Sequence, residues 1–246
     1  MRIKLIRAQL EFALMKLVAV TNPVTLPVAA KIIIEDAILY IRKVKIAPSV
    51  INGHEHGLMK QNAIYPLQRC EVISYTIPQG SLHFDKDNLF RSQMPKLLVF
   101  GLVSNAAFSG SYTESPFNFQ HFGVNYVALY REGESVPQRP YKPNFAEGHY
   151  MREFMSIFQA MELYNRDNDN EISPANFAGG TALFAFNLAA DLAIAGHAQP
   201  LREGNLRLEL NFTSATTALI NIIVWAVFDS KIEITRMRDV LMDYKS

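Results

Sequence analysis

An antiparallel β-sandwich is the fold this sequence predicts, and three observations predict it. Residues 205–212, Asn-Leu-Arg-Leu-Glu-Leu-Asn-Phe, alternate polar and apolar one by one, the mark of a strand with one dry and one wet face. Further apolar runs at 219–228 and 231–234 follow after short polar breaks. Little else reads as helix. Such an architecture more often presents surfaces than performs chemistry.

Composition sets the bounds. The 246 residues suffice for one large all-β domain, or for one domain plus a fragment of another. Hydrophobic residues make up 49% and charged residues 19%, so a sizeable core is expected, with some apolar surplus buried between subunits. Lys+Arg number 24 against 23 Asp+Glu, a net charge of +1 that supplies no global basic field for nucleic acid. The single cysteine, Cys70, excludes an internal disulfide and is expected as a core thiol in a reducing compartment. Glu11 and Lys16 interrupt the apolar N-terminus, so no signal peptide is read. The longest apolar stretch, 218–228, is far short of the roughly 20 residues a membrane span requires.

The elements follow in order. Residues 2–20 read as two β-rich runs parted near Gln9 to Glu11, and Asn22-Pro23 marks a loop. Residues 31–46 read as a long or broken strand, and 48–57 as a loop or short helical turn that serves as a domain boundary. The strand pattern restarts at 70–77 and closes in the Pro78-Gln79-Gly80 turn. Residues 97–103 are almost continuously apolar, as in a strand covered on both faces. Residues 105–122 form a long loop with Phe108, Tyr112, Phe117, Phe119 and Phe122 as packing anchors. After a strand at 126–131, Pro137, Pro140 and Pro143 keep 136–144 extended but out of any sheet centre. The one convincing helix spans 150–164, with Phe154, Ile157, Phe158, Met161 and Leu163 on one stripe. Residues 181–188 form another strand, and Trp225 is expected in the core.

Chemistry-bearing motifs are weak. Residues 165–176 resemble a calcium-binding loop, but Asn170 replaces the glycine of the sharp turn and Asn176 replaces the terminal bidentate glutamate. A polar connection with Asx turns explains the same residues. His54-Glu55-His56 lacks further ligands nearby, and His83, His121, His149 and His197 are scattered. Nucleophile-elbow, phosphate-loop, dinucleotide and His-Glu-x-x-His signatures are all missing from the sequence, so no catalytic, metal or cofactor residue is assigned.

Five segments, in order, carry a family resemblance. They are Ala37-Ile38-Leu39-Tyr40-Ile41-Arg42-Lys43-Val44-Lys45 with Pro48-Ser49-Val50; Tyr75-Thr76-Ile77-Pro78-Gln79-Gly80; Gly110-Ser111-Tyr112 with Pro116-Phe117-Asn118-Phe119; Thr181-Ala182-Leu183-Phe184-Ala185-Phe186-Asn187-Leu188; and Gly204-Asn205-Leu206-Arg207-Leu208-Glu209-Leu210. Together, over most of residues 31–244, they resemble the double jelly-roll major capsid protein of Polinton (Maverick) elements and adinto-like viruses, including host-genome copies. The resemblance implies an all-β jelly-roll β-sandwich, the second roll of a double jelly roll, with one inserted helix. Residues 1–46 would be closing strands of an incomplete first roll, and 62–246 the complete C-terminal roll.

The function so implied is assembly, not enzymatic turnover: a capsid subunit that trimerises into pseudo-hexagonal capsomers of a DNA virus or virus-like transposon. Its partners would be itself as a homotrimer, neighbouring capsomers, and penton or minor capsid proteins. Its location would be the virion capsid, reached through the host cytoplasm or nucleus. Residues 109–122 and 136–145 are expected as contacts, with Phe108, Tyr112, Phe117, Phe119, Phe122 and Tyr141 as anchors, since aromatics in polar loops are favoured at interfaces. A truncated or host-domesticated fragment acting as a β-sandwich interaction module is the alternative.

Overall fold

The computed structural model describes residues 4–6, 8–12, 31–90, 93–164, 166–192, 200 and 202–243. Helix α1 (Pro48–Lys60) leads into β1 (Ala63–Ile77), β2 (His83–Lys86), β3 (Leu97–Ser104), α2 (Asn105–Ser109), β4 (Val124–Arg131) and β5 (Glu134–Tyr141). Helices α3 (Met151–Ala160) and α4 (Pro174–Gly179) follow, then β6 (Leu183–Asn187), β7 (Leu206–Phe212), β8 (Ile220–Ile234) and β9 (Val240–Met242). One sheet runs β1-β8-β3-β6, with β9 appended to β8, and the other runs β2-β7-β4-β5; every pairing is antiparallel. The first of the eight main strands thus pairs with the eighth, the second with the seventh, the third with the sixth and the fourth with the fifth. That is one long hairpin rolled on itself, the jelly-roll order.

Side-chain parity builds the core. From β8, Ile220, Ile222, Val224, Ala226 and Phe228 point inward; from β7, Leu206, Leu208, Leu210 and Phe212 meet them across the sandwich. Leu98, Phe100 and Leu102 of β3 and Phe184 and Phe186 of β6 complete the layer, with Phe100 stacked 5.1 Å from Phe184. In β4 the register shifts between Val124 and Tyr126, a bulge that lets Val124, Val127 and Leu129 all face inward despite their mixed parity.

A second, smaller core lies on the outside of the first sheet. There Phe154, Ile157 and Ala160 of α3 and Phe177 of α4 cover Leu97, Ala185 and Val227. This roof explains the uninterrupted apolar run of β3, which is dry on both faces at that end. Glu153 of α3 is drawn into the interior, where its Oε1 accepts the Lys142 N–H at 3.1 Å. Burial pushes its carboxyl above the ordinary carboxylate value, opposed by backbone hydrogen bonds and by Arg152.

Several elements differ from expectation. Residues 31–47 are exposed and take no strand conformation that closes a ladder with a named strand. The expected runs in residues 2–20 fall largely outside the described residues; within them, Leu10–Phe12 is a 3-10 turn. The stretch after Pro48 is a 13-residue helix, masked in sequence by Gly53 and Gly57, poor helix formers. Helices α2 and α4 join α1 and α3, so the roll carries more than one. Strand β1 begins at Ala63, and its Pro66 is tolerated because β1 lies at a sheet edge. The two C-terminal apolar runs are one 15-residue strand, β8. The proline-bearing β5 is the edge of the second sheet, as its composition requires.

Two outcomes follow. Leu208→Asp, at a side chain with 0% exposure, buries an unpaired charge between the sheets and should cost more than about 4 kcal/mol, abolishing soluble folding; soluble yield and thermal melting by circular dichroism measure this. Glu153→Gln keeps an oxygen for the Lys142 N–H and removes the charge. Because the folded carboxyl titrates above its unfolded value, the wild type holds its full stability below the unfolded value and loses it as pH rises through the folded one. The Gln variant should therefore melt higher than wild type near neutral pH and equally in acid.

Candidate assembly surfaces

The outer faces of the two sheets differ in chemistry. On the second sheet, Asp85 of β2, Arg207 and Glu209 of β7 and Tyr126 and Tyr130 of β4 face outward. Arg207 reaches Asp85 Oδ1 at 3.4 Å and Glu209 Oε2 at 3.6 Å and lies 4.3 Å over the Tyr130 ring. His83 and Asn211 join through a 2.6 Å hydrogen bond. The Tyr126 and Tyr130 hydroxyls lie 3.2 Å apart, and that bond, with burial and Glu209, holds the Tyr130 phenol protonated well above its ordinary range. This face is ionic and content in water.

The first sheet is apolar across its middle rows, while Lys231 and Glu233 pair at 2.8 Å at the far end of β8 on the same face. Across its outer face Val72 of β1, Trp225 of β8, Val99 of β3 and Ala185 of β6 stand in one cross-strand row. Ala185 is roofed by α3, but at the other end of the row Trp225 is 36% and Val72 63% exposed. The flanking rows bring Cys70 beside Val227, and Ser74 beside Ile223. Cys70 is therefore exposed, not a core thiol, and Trp225 lies on the outer face, not in the core, both by strand parity. That bare apolar half-face carries no charge in its central row. Sequence reasoning missed it, although the signal was present: Trp225 has the opposite parity to the inward Val224 and Ala226.

The expected contact residues are scattered in role. Phe117 projects into solvent, 76% exposed, and Phe108 on α2 is at the edge of exposure. Tyr112 is half-buried and donates from its hydroxyl to Glu11 Oε1 at 3.3 Å. Phe119 folds back over β3: a Cβ on Gly101 would fall 2.6 Å from Phe119 Cδ1 and 2.8 Å from Leu183 Cδ2, so glycine is required for this approach. Its N–H donates to the Gly180 carbonyl at 2.7 Å, which bridges the loop to the start of β6. Phe122 packs against the inner core. Tyr141 is buried within this roll, its ring tilted against Phe186 at 5.4 Å and capped by the Arg152 guanidinium at 4.8 Å. The structure thus leaves Phe108 and Phe117 outward and engages Phe119, Phe122 and Tyr141 internally.

The remaining candidate motifs resolve into local structure. In the calcium-like loop Asn165 lies outside the described residues; Asn170 N–H donates to Asp169 Oδ1 at 2.7 Å, and Ile172 N–H donates to Asn170 Oδ1 at 3.0 Å in an Asx turn of a polar connection. His54, Glu55 and His56 lie on α1, where Glu55 pairs with Arg238 at 2.7 Å. Among the described residues no group of three or more His, Cys, Asp or Glu side chains is placed to hold a metal ion, and no helix is long and apolar enough to cross a membrane. The buried Lys96 ammonium, just before β3, is matched by Asp229 of β8 at 2.6 Å.

No family model matches the chain. An uncharacterized protein of Caenorhabditis elegans, F54H12.2, is 26% identical over 214 residues, which cover 85% of this chain and 51% of that protein. The chain thus spans about half the length of the curated relative it matches. Among solved structures, a chain of the Sputnik virophage shares 12% identity over 74% of this chain and 39% of its own, with a TM-score of 0.44. The PBCV-1 virus capsid shares 14% over 75% and 52%, with a TM-score of 0.39. The mavirus major capsid protein shares 12% over 74% and 41%, with a TM-score of 0.36. The jelly-roll order of this chain stands on its own hydrogen-bonded ladders.

Proposed function

We propose that this chain is a structural subunit of a protein shell, the second roll of a double jelly-roll capsid protein of the Polinton type. The observation that carries the reading is the jelly-roll sandwich whose first sheet leaves an apolar patch around Val72 and Trp225 exposed among the described residues while the second sheet's outer face is ionic. A roll built to stand alone would have a wet outer face on both sheets. Residues 1–46 would close a preceding roll, which accounts for the exposed row of Ile33, Ile34, Ile38, Leu39, Tyr40 and Ile41. The nematode relative has about as much sequence again outside the matched stretch, room for a roll of similar size.

Three such subunits would close into a pseudo-hexagonal capsomer, with Phe108 and Phe117 available to neighbouring capsomers or to penton and minor capsid proteins. The work is assembly in a virion capsid, prepared in the host cytoplasm or nucleus, without catalytic turnover. That the relative is a nematode protein favours a second form of the reading: a host-borne capsid fragment serving as a β-sandwich interaction module.

Sedimentation velocity of the purified chain tests the surface. The wild type should self-associate, and because the contact is apolar the association should survive high salt. Val72→Lys, at an exposed position, should weaken it at least about tenfold, roughly 1.4 kcal/mol, with little change in melting temperature. A wild type that stays monomeric at all concentrations would contradict the proposed face.

A further inference from the structure

At one end of the sandwich, the loop before β4 is held in an unusual backbone conformation. Phe122 and Gly123 both have positive φ, 47° and 72°, a region that a bulky residue such as phenylalanine rarely enters. Strain of this kind persists only where surrounding bonds over-determine it. Three hydrogen bonds do so here. Gly123 N–H donates to His121 Nδ1 at 3.0 Å, Val124 N–H donates to the His121 carbonyl at 2.9 Å, and Thr213 N–H donates to the Gly123 carbonyl at 2.8 Å. The imidazole itself lies flat on Phe145, centroids 4.1 Å apart and planes 8° from parallel, and Phe145 stacks in turn on Tyr150 at 5.2 Å. One histidine therefore ties the loop that carries Phe117 to the segment between β5 and α3.

We propose that His121 is an acid-released clasp between these two loops. Because Nδ1 accepts from Gly123, the neutral ring carries its hydrogen on Nε2. A proton from water can add only at Nδ1, which turns the acceptor into a donor pointing at another N–H. The stack on Phe145 tolerates either form of the ring, since a cation over an aromatic face is not repelled; the Gly123 bond does not. Water reaches the ring through an adjoining cavity of about 540 Å³, lined by Asn125, Asn144 and Thr213 among others. Among the described residues, no other titratable side chain lines that cavity. Lys142, Glu147 and His149 of the facing segment are exposed, and His149 Nδ1 pairs with Glu147 Oε2 at 3.5 Å. Among the described residues, nothing on β4 or on the turn after β7 that lines this cavity is charged.

Burial already depresses the basicity of this imidazole. A histidine lowered in the folded state contributes stability in full above its unfolded value, near 6.5, and loses it as pH falls through the folded value. The clasp is thus closed at neutral pH and released in mild acid. It stands independently of the assembly reading, although it would make any contact through Phe117 acid-sensitive.

Hydrogen–deuterium exchange of the full chain at about pH 7.5 and about pH 5, corrected for intrinsic exchange, reads it directly. Peptides spanning 117–124 and 143–149 should open in acid, while those of β3 and β8 stay protected. His121→Asn places Oδ1 where Nδ1 was, keeps the acceptor for Gly123 and cannot titrate, so its acid opening should vanish. His149→Gln, which removes the neighbouring titratable ring, should leave the opening unchanged. Acid opening that persists in His121→Asn or disappears in His149→Gln overturns the proposal. Should His121→Asn not fold, a wild type whose two loops fail to open in acid overturns it alone.

Discussion

The structure depends on a single layer of side chains shared by two sheets. Strand β8 is its spine: over 15 residues it pairs with β1 along one edge and with β3 and β9 along the other, so its parity dictates that of the whole first sheet. Once Ile222, Val224 and Ala226 point inward, every second residue of β1, β3 and β6 must follow, and Trp225, Val72 and Val99 must point out. The second sheet meets this layer through Leu206, Leu208 and Leu210, whose partners of opposite parity, Arg207 and Glu209, are thereby committed to solvent. The apolar and the ionic outer faces follow from one choice of register.

That choice bears on function because the roof over the first sheet is partial. Helices α3 and α4 cover the β6 side through Phe154, Ile157 and Phe177, and Phe119 extends the cover over Gly101. Neither α3 nor α4 covers Val72 and Trp225 on the β1 side, which stay exposed among the described residues. Burying it against another surface would gain on the order of 25 cal/mol for each Å² of apolar area removed from water, a drive that the second sheet's ion pairs cannot supply. In the proposed assembly the first sheet would be the buried face and the charged sheet the outside.

Much of this was legible in the sequence, and the failures share a cause. The alternation of β7, the two-sided apolar run of β3 and the edge position of the proline-bearing β5 were all readable because local pattern and tertiary setting agree there. Residues 31–46 read as strand with equal force but form none, since a strand is defined by its neighbour and not by its composition. Helix α1 was hidden by its glycines, and the opening of β1 by Pro66, which only an edge position permits. Cys70 and Trp225 were misplaced because residue type outweighed parity in reading them. Tyr141 read as a contact, being aromatic in an extended polar stretch, yet its pairing with Val127 turns it inward, which only the sheet's register reveals.

The most direct measurement is velocity sedimentation of native source material, with each fraction probed for this chain on a denaturing blot and for nuclease-protected DNA. The account predicts the chain in fast-sedimenting particles that shield nucleic acid. Its recovery only as a slow soluble species, with none in particles, would contradict the capsid reading.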